Sequence, residues 1–337
     1  MSRRKFLIAT AAAATALLAP LAASAEIKER TMRFAFQNVA DHPQGKGAAK
    51  VAEILAAKSG NKISVKLFPA GQLGGDLQTV SALQGGTLDL TVLNSGLLVG
   101  LDKRFAVLDF PFLFDTPEGA DFIVDGAIGQ KLHASLADKG LVGLGYWELG
   151  FRNVTNSKRA ITKLEDFQGL KIRVLQSPLF IELFNTLGAA ATPMAWPEVY
   201  SALEQRVVEG QENPYTTILG AKFQEVQKYV SETRHIYNAQ SVLVSKKTWD
   251  SLTAEEQGLI KAAVTEAGAF QRQLSRDSMG SALDGLKKGG MQHNALAPAE
   301  IARIRDKIKP VVEKFGKEVG PELVAEINAE LAKKRGK

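Results

Sequence analysis

Residues 168–178 read QGLKIRVLQSP. Leu170, Ile172 and Val174 alternate with Lys171 and Arg173, the period-two pattern of a strand, and Gln176-Ser177-Pro178 stops it. The next stretch, PLFIELFNTLG (178–188), predicts a helix with Pro178 in its first turn. A strand that hands over directly to a helix is one unit of an α/β fold. Arg173 falls near the carboxyl end of that strand. Its side chain is charged at any working pH and carries five donors in a planar fork. Two readings are open: the solvated face of a strand, or a group that binds an anion.

The same alternation extends to both sides. TMRFAFQN (31–38) is a strand, 45–60 a helix closed at its C-cap by Gly60, and KISVKLFP (62–69) a second strand. GGDLQTVSALQGG (74–86) is a helix with Asp76 as candidate cap, and TLDLTVLN (87–94) a third strand. After residue 150 the strand–helix pattern returns, with PEVYSALEQRV (197–207) as another helix and VEGQEN (208–213) leading into a strand. A faint echo links the halves. Ser81-Ala82-Leu83 precedes Asp89 by the same interval as Ser201-Ala202-Leu203 precedes Glu209, and Asn94 and Asn213 fall near the two strand ends. The fold class is therefore α/β with a largely parallel sheet, and the echo would fit two similar lobes facing each other. From about Leu252 the chain reads as helical. Its first helix opens with a Thr253/Glu256 capping box and is long enough to brace both lobes.

Composition narrows the function. Of 337 residues, 45% are hydrophobic and 23% charged, ordinary values for a globular protein with a sizeable core. Residues 1–25 have Arg3, Arg4 and Lys5, then an apolar run, then Ala23-Ser24-Ala25, the pattern of an export signal cleaved before Glu26. SRRKFL also fits a twin-arginine signal, and Sec fits nearly as well, so the expected destination is a bacterial periplasm by either route. The formal charge of +6, less those three cations, is +3, too mild to argue for nucleic acid. Cysteine is absent, which removes disulfides and thiolate chemistry. The four histidines, His42, His133, His235 and His293, lack metal-ligand spacing, and no Walker loop, H-E-x-x-H or G-x-S-x-G elbow occurs. No cofactor or metal is expected. This favours a binding module over an enzyme.

Ligands of open α/β sheets bind beyond the carboxyl ends of strands. Arg152 follows the apolar strand LVGLGYWELGF (141–151), Arg173 ends LKIRV, and Asn213 ends the strand in VEGQENP. Two arginines and an amide make a carboxylate clamp. The competing reading pairs the arginines with nearby carboxylates such as Glu148 or Asp166, and spacing alone leaves the two even.

Long ordered motifs then carry a resemblance. Residues 150–174 (GFRNVTNSKRAITKLEDFQGLKIRV), 187–214, 222–235, 74–96 and 237–252 together resemble the solute-binding component of tripartite ATP-independent periplasmic (TRAP) transporters, the DctP-type family. The resemblance runs through essentially the whole chain after residue 25. It implies a clamshell of two α/β lobes joined by crossing strands, with a long bracing helix and a helical C-terminus. Lobe 1 would hold residues 26–149 plus 238–278, and lobe 2 residues 150–237 plus 279–337. It implies capture of a small organic acid, either a sugar acid such as a hexuronate or aldonate or a C4-dicarboxylate, and delivery to TRAP permease subunits in the membrane. In the family the arginine of GLKIRV, here Arg173, forms the main salt bridge to the ligand carboxylate. Arg152 and Asn213 are further carboxylate contacts, and Trp196 forms one wall. Gln37, Asp76 and Asn94 match positions around the ligand's far end, with Gln240 a weaker candidate. No third cation stands among the lobe 1 candidates, which leans toward a monocarboxylate with hydroxyls; His42 and Lys46 are the nearest sources of positive charge. A monomer is expected, with a dimer left open by the long C-terminal helices. The rival functions are an exported enzyme acting on acidic sugars and a ligand-sensing partner of a membrane receptor.

Overall fold

The computed structural model describes residues 26–336, so the expected export signal lies outside the described residues. The first strands are β1 (Arg30–Phe36), β2 (Ile63–Phe68), β3 (Leu90–Asn94), β4 (Leu141–Phe151), β5 (Asn153–Asn156) and β6 (Lys171–Val174). Then come β7 (Ala190–Pro193), β8 (Gly210–Asn213), β9 (Tyr229–Glu232), β10 (Tyr237–Ser245) and β11 (Gln292–Ala295). They form two sheets, with orders β2-β1-β3-β10-β4 and β11-β9-β5-β8-β6-β7.

Each sheet contains the same core. β1, β2 and β3 are parallel, linked by helices Pro43–Lys58 and Asp76–Gly85, with β1 in the middle. β6, β7 and β8 are parallel, linked by helices Pro178–Thr186 and Val199–Glu204, with β6 in the middle. Both read second-first-third across the sheet, and each third strand is flanked by an antiparallel partner, β10 or β5. The serine-alanine-leucine echo therefore sits on equivalent helices, and Asn94 and Asn213 are the last residues of equivalent strands.

The chain crosses between the sheets three times, from β4 into β5 at Arg152, from β9 into β10, and from β10 to β11 through the long helix Ala254–Lys288. The first two crossings are direct strand-to-strand passages. They are tied together, the Arg152 N–H donating to the Ile236 carbonyl at 2.9 Å. Beside them the β4–β10 register slips: Asn238 faces Gly150 and Ala239 faces Glu148, so Leu149 is bulged out. Gly150 sits at φ +112°, where a side chain is strained.

Helix Ala254–Lys288 spans both lobes, roughly 50 Å at 1.5 Å per residue. Thr253 and Glu256 form the expected capping box, Thr253 Oγ1 accepting from the Glu256 N–H at 3.2 Å and Glu256 Oε2 from the Thr253 N–H at 2.8 Å. Ala263, Val264 and Ala267 bury against Trp147 and the β1 face of lobe 1, while Ala282 and Leu286 bury with Ile218 and Phe223 of lobe 2. Between them the Gln271 amide bridges the Glu148 peptide, donating to its carbonyl at 2.6 Å and accepting from its N–H at 2.9 Å. Helices Pro298–Val319 and Pro321–Lys334 bury Ile304, Ile308, Phe315, Ile327 and Leu331 in one continuous core with residues of both lobes, among them Phe105 and Phe180.

Three local expectations are corrected. Asp76 is the first residue of its helix; Gly75 is the cap, its N–H held by Gln78 Oε1 at 2.8 Å. Ser59 is the C-cap of the first helix, and Gly60 follows it at φ +63°. The C-terminal region also contains the polar edge strand β11, which has no apolar alternation and is set only by its pairing with β9.

Candidate functional site

The carboxyl ends of β1, β3, β6, β7 and β8 converge on a narrow cleft between the lobes, with about 40 Å³ of internal space. All eight sequence candidates line it: Gln37, Asp76, Asn94, Arg152, Arg173, Trp196, Asn213 and Gln240. Gln37 follows β1, Asp76 opens the helix before β3, and Asn94 ends β3 directly across from Gln240 of β10. Trp196 lies just after β7, and Asn213 ends β8.

The two arginines are held differently. Arg152 Nε and Nη2 both bond the Glu212 carboxylate, Nη2 to Oε1 at 2.8 Å; Nη2 also bonds the Glu212 carbonyl at 2.6 Å, and Nη1 bonds Asn238 Oδ1 at 2.9 Å. Both partners are buried, at 1% and 0% exposure. Burial raises the Glu212 carboxyl, but Arg152 and His235 outweigh it and hold it below the usual range. Pairing with a carboxylate thus does occur for Arg152, though the partner is neither Glu148 nor Asp166. Glu148 accepts from Arg276 Nε at 2.8 Å and the Tyr237 hydroxyl at 3.1 Å, while Asp166 caps the 162–163 backbone.

Among the described residues no carboxylate pairs with Arg173. Its Nε and Nη2 donate to the Met194 carbonyl at 3.0 and 2.6 Å, and the buried Nη1 has no partner. The Trp196 ring lies 5.8 Å from its Cζ. The side chain is 1% exposed. Burial lowers its pKa to about 10, with Glu212 opposing and the neighbouring Arg152 adding to the effect. A buried guanidinium that lacks a counter-ion is costly, and an anion entering the cleft would relieve that cost. Asn213, beside it, donates Nδ2 to Gln211 Oε1 at 2.7 Å.

The lobe 1 wall is neutral except for Asp76. Gln37 Nε2 donates to the Gly74 carbonyl at 3.1 Å, which leaves its buried Oε1 without a partner. Asn94 Oδ1 accepts from the Gly96 N–H at 2.6 Å, with its Nδ2 toward Asp109; Gln240 Oε1 is unpartnered. Asp76 is half-buried, and burial pushes its carboxyl up to about 7 against the pull of Arg173 and Arg152. Behind this wall Asp109 is 1% exposed, and burial pushes it too to about 7 against the pull of Arg152 and of the Asn94 and Asn238 amides beside it.

The positive charge sought near His42 and Lys46 is absent. His42 is buried and caps helix Pro43–Lys58 through Nδ1, which accepts from the Gln44 N–H at 3.0 Å; Nε2 therefore carries the proton toward Thr216 and Thr217. Burial lowers its pKa to about 3, so it is neutral. Lys46 pairs with Asp41 at the surface. Among the described residues no cluster fits a metal ion.

Sequence reasoning missed Glu212, Asn238, Gln44, Asn38 and Thr217, of which all but Glu212 line the cleft. Glu212 stood beside Asn213 in GQENP, an acid inside a strand too short to have a wet face. Asn238 stood two residues before Gln240, on the same face of β10.

The model of bacterial extracellular solute-binding protein family 7, the DctP family, matches residues 34–318. The chain belongs to that family. The 2,3-diketo-L-gulonate-binding periplasmic protein YiaO of Escherichia coli is 36% identical over 269 residues, covering 80% of this chain and 82% of that protein. The C4-dicarboxylate-binding periplasmic protein DctP of Rhodobacter capsulatus is 30% identical, covering 95% and 96%. The crystal structure of the sugar acid binding protein DctPAm from Advenella mimigardefordensis, in complex with galactonate, superposes with a TM-score of 0.89 at 40% identity, covering 91% and 99%. The DctP family is one of solute-binding proteins, and the two-lobed α/β fold of its TRAP members is the fold found in this chain. No helix among the described residues is long and apolar enough to cross a membrane.

Proposed function

We propose that this chain is the periplasmic binding component of a TRAP transporter that captures a small organic acid by an arginine–carboxylate clamp. The observation that carries the reading is Arg173: a buried guanidinium with a free Nη1, facing a cleft, and without a carboxylate of its own. Arg173 takes the ligand carboxylate bidentately, with Asn213 beside it and Trp196 as a wall. Arg152, locked and neutralised by Glu212, adds one remaining donor. Gln37, Asp76, Asn94 and Gln240 receive the rest of the ligand. The relatives bind sugar acids and C4-dicarboxylates, and the ligand here belongs to one of those classes.

Closure follows from the same groups. Bringing the lobes together buries Arg173 of one wall and the unpartnered amides of the other, which only a bound ligand compensates, so ligand raises the closed population. A membrane permease reads the closed form. The lobes are residues 26–149 plus 238–278 and 150–237 plus 279–337, with the last two helices leaning on both. Residues 1–25 direct export to the periplasm.

The test is a thermal-shift screen of refolded protein against organic acids, followed by calorimetry. A ligand selective for the folded state raises the melting temperature as RT ln(1 + [L]/Kd). No shift with any carboxylate overturns the clamp. One observation favours a second reading: a cleft carboxyl near 7, as at Asp76, suits a general acid for an enzyme acting on acidic sugars. NMR of the best ligand incubated with the protein separates the two, and unchanged ligand is expected.

A further inference from the structure

We infer that the cleft is built for a monoanion, an acid with one carboxylate and a hydroxylated tail, and that Asp76 turns a second carboxylate away. This rests on reading the cleft as an organic-acid site and names the ligand class within it.

The argument is a count of charges and of donors. The cleft is lined by two cations, Arg152 and Arg173. Arg152 is already neutralised by Glu212 through Nε and Nη2. Among the described residues Arg173 makes no ion pair within 4.0 Å, so one unpaired positive charge is left for the ligand. One carboxylate balances it. The far wall, from Gln37, Asn38, Gln44, Asp76 and Asn94, contains no cation, and His42 behind it is held neutral by burial. A second ligand carboxylate would therefore meet amides and the carboxyl of Asp76. Above about pH 7, where Asp76 is ionised, like charges placed together in a closed cleft oppose binding strongly.

Hydrogen bonding points the same way. Gln37 is fixed by its bond to the Gly74 carbonyl, so the atom it turns to the cleft is the acceptor Oε1, buried and unpartnered. Asp76, ionised above about pH 7, is then an acceptor only. A hydroxyl can donate to both. A carboxylate has no proton to donate and leaves both unsatisfied.

The test uses pairs of acids that differ only at the far carbon. Galactonate and galactarate differ by CH2OH against COO⁻ at C6; gluconate with glucarate and threonate with tartrate are matching pairs. Calorimetry is run on the wild type and on Asp76→Asn, with Asp76→Ser as a second variant should the first fail to fold. In every pair that binds, the monoanion is expected to bind on the order of 100-fold tighter or more. Asp76→Asn is expected to shrink that ratio about 10-fold, chiefly by improving the dianion. A dianion that binds the wild type as well as its monoanion overturns the inference and leaves the organic-acid reading intact. An unchanged ratio in both Asp76 variants overturns the role of Asp76. Failure of every acid, succinate included, removes the organic-acid reading and this inference with it.

Discussion

Arg173→Met separates what one buried charge does for binding from what it does for folding. In the empty protein the Arg173 pKa stands at about 10 instead of 12.5 because of burial. That difference, about 2.5 units, corresponds to roughly 3 kcal/mol by which folding disfavours the charged side chain. Methionine fills a similar volume and removes this cost. It also strands the Met194 carbonyl, which loses both of its bonds from Arg173, at about 1–3 kcal/mol. The two effects nearly cancel, so the empty variant is expected to stay within about 2 kcal/mol of wild type, on the more stable side. The balance holds from pH 5 to 9, because arginine is charged there in both folded and unfolded chains. Ligand affinity behaves oppositely. It should fall by about 2–5 kcal/mol, roughly 30-fold to several thousand-fold, the loss for removing one partner of a buried charge pair. Urea unfolding of the empty protein and calorimetry with the best acid give the two numbers. A variant that loses more than about 3 kcal/mol of stability yet keeps its affinity would refute the reasoning, because Arg173 would then be a structural cation.

Three further outcomes are expected. Asp109 keeps its proton up to about pH 7 when folded but only to about 3.8 when unfolded, so it weakens the fold as pH rises through that window. Asp109→Asn should therefore gain stability relative to wild type by up to about 1.4 kcal/mol per pH unit between pH 4 and 7, and parallel urea curves across that range would sink the idea. Gln271→Ala strands the buried N–H and carbonyl of Glu148 and should cost about 1–3 kcal/mol in chemical denaturation; a loss below 0.5 kcal/mol would mean that water replaces the amide. Gly150→Ala combines φ +112° with a Cβ 3.1 Å from Met279 Cε and should cost about 1–3 kcal/mol. Adding Met279→Ala should not restore it, because the backbone strain remains; full rescue would show that the contact alone was limiting.

The legible parts of the sequence were those with local signals. The Thr253/Glu256 box, Pro178 at a helix start and the β1 alternation of Met32, Phe34 and Phe36 all act within a few residues, and they appear as read. Arg173 was only half legible. Alternation with Lys171 suggested a wet face, but β6 is an inner strand covered on both sides, and only Lys171 is exposed. Glu212 was illegible as a partner of Arg152 because sixty residues separate them, and only the pairing of β5 with β8 brings them together. The gathering of Gln37, Asp76 and Asn94 opposite Arg173 depends on how the lobes face each other, which no local pattern encodes. There the family motifs carried the expectation. His42 misled because its charge depends on burial, which the sequence does not display.

The two lobes share a strand order yet divide their chemistry unequally. The free cation and its indole neighbour belong to one half; neutral amides and a single acid belong to the other. Such a division makes the protein easy to diversify. On the proposed clamp, changes at Gln37, Asp76 or Asn94 would alter which tail is accepted and leave the grip on the carboxylate untouched, so a lineage could move from one acid to another in single steps. Changes at Arg173 have no such middle ground. For anyone building a biosensor from this scaffold, the first half is where selectivity can be rewritten, and the second half is best left alone.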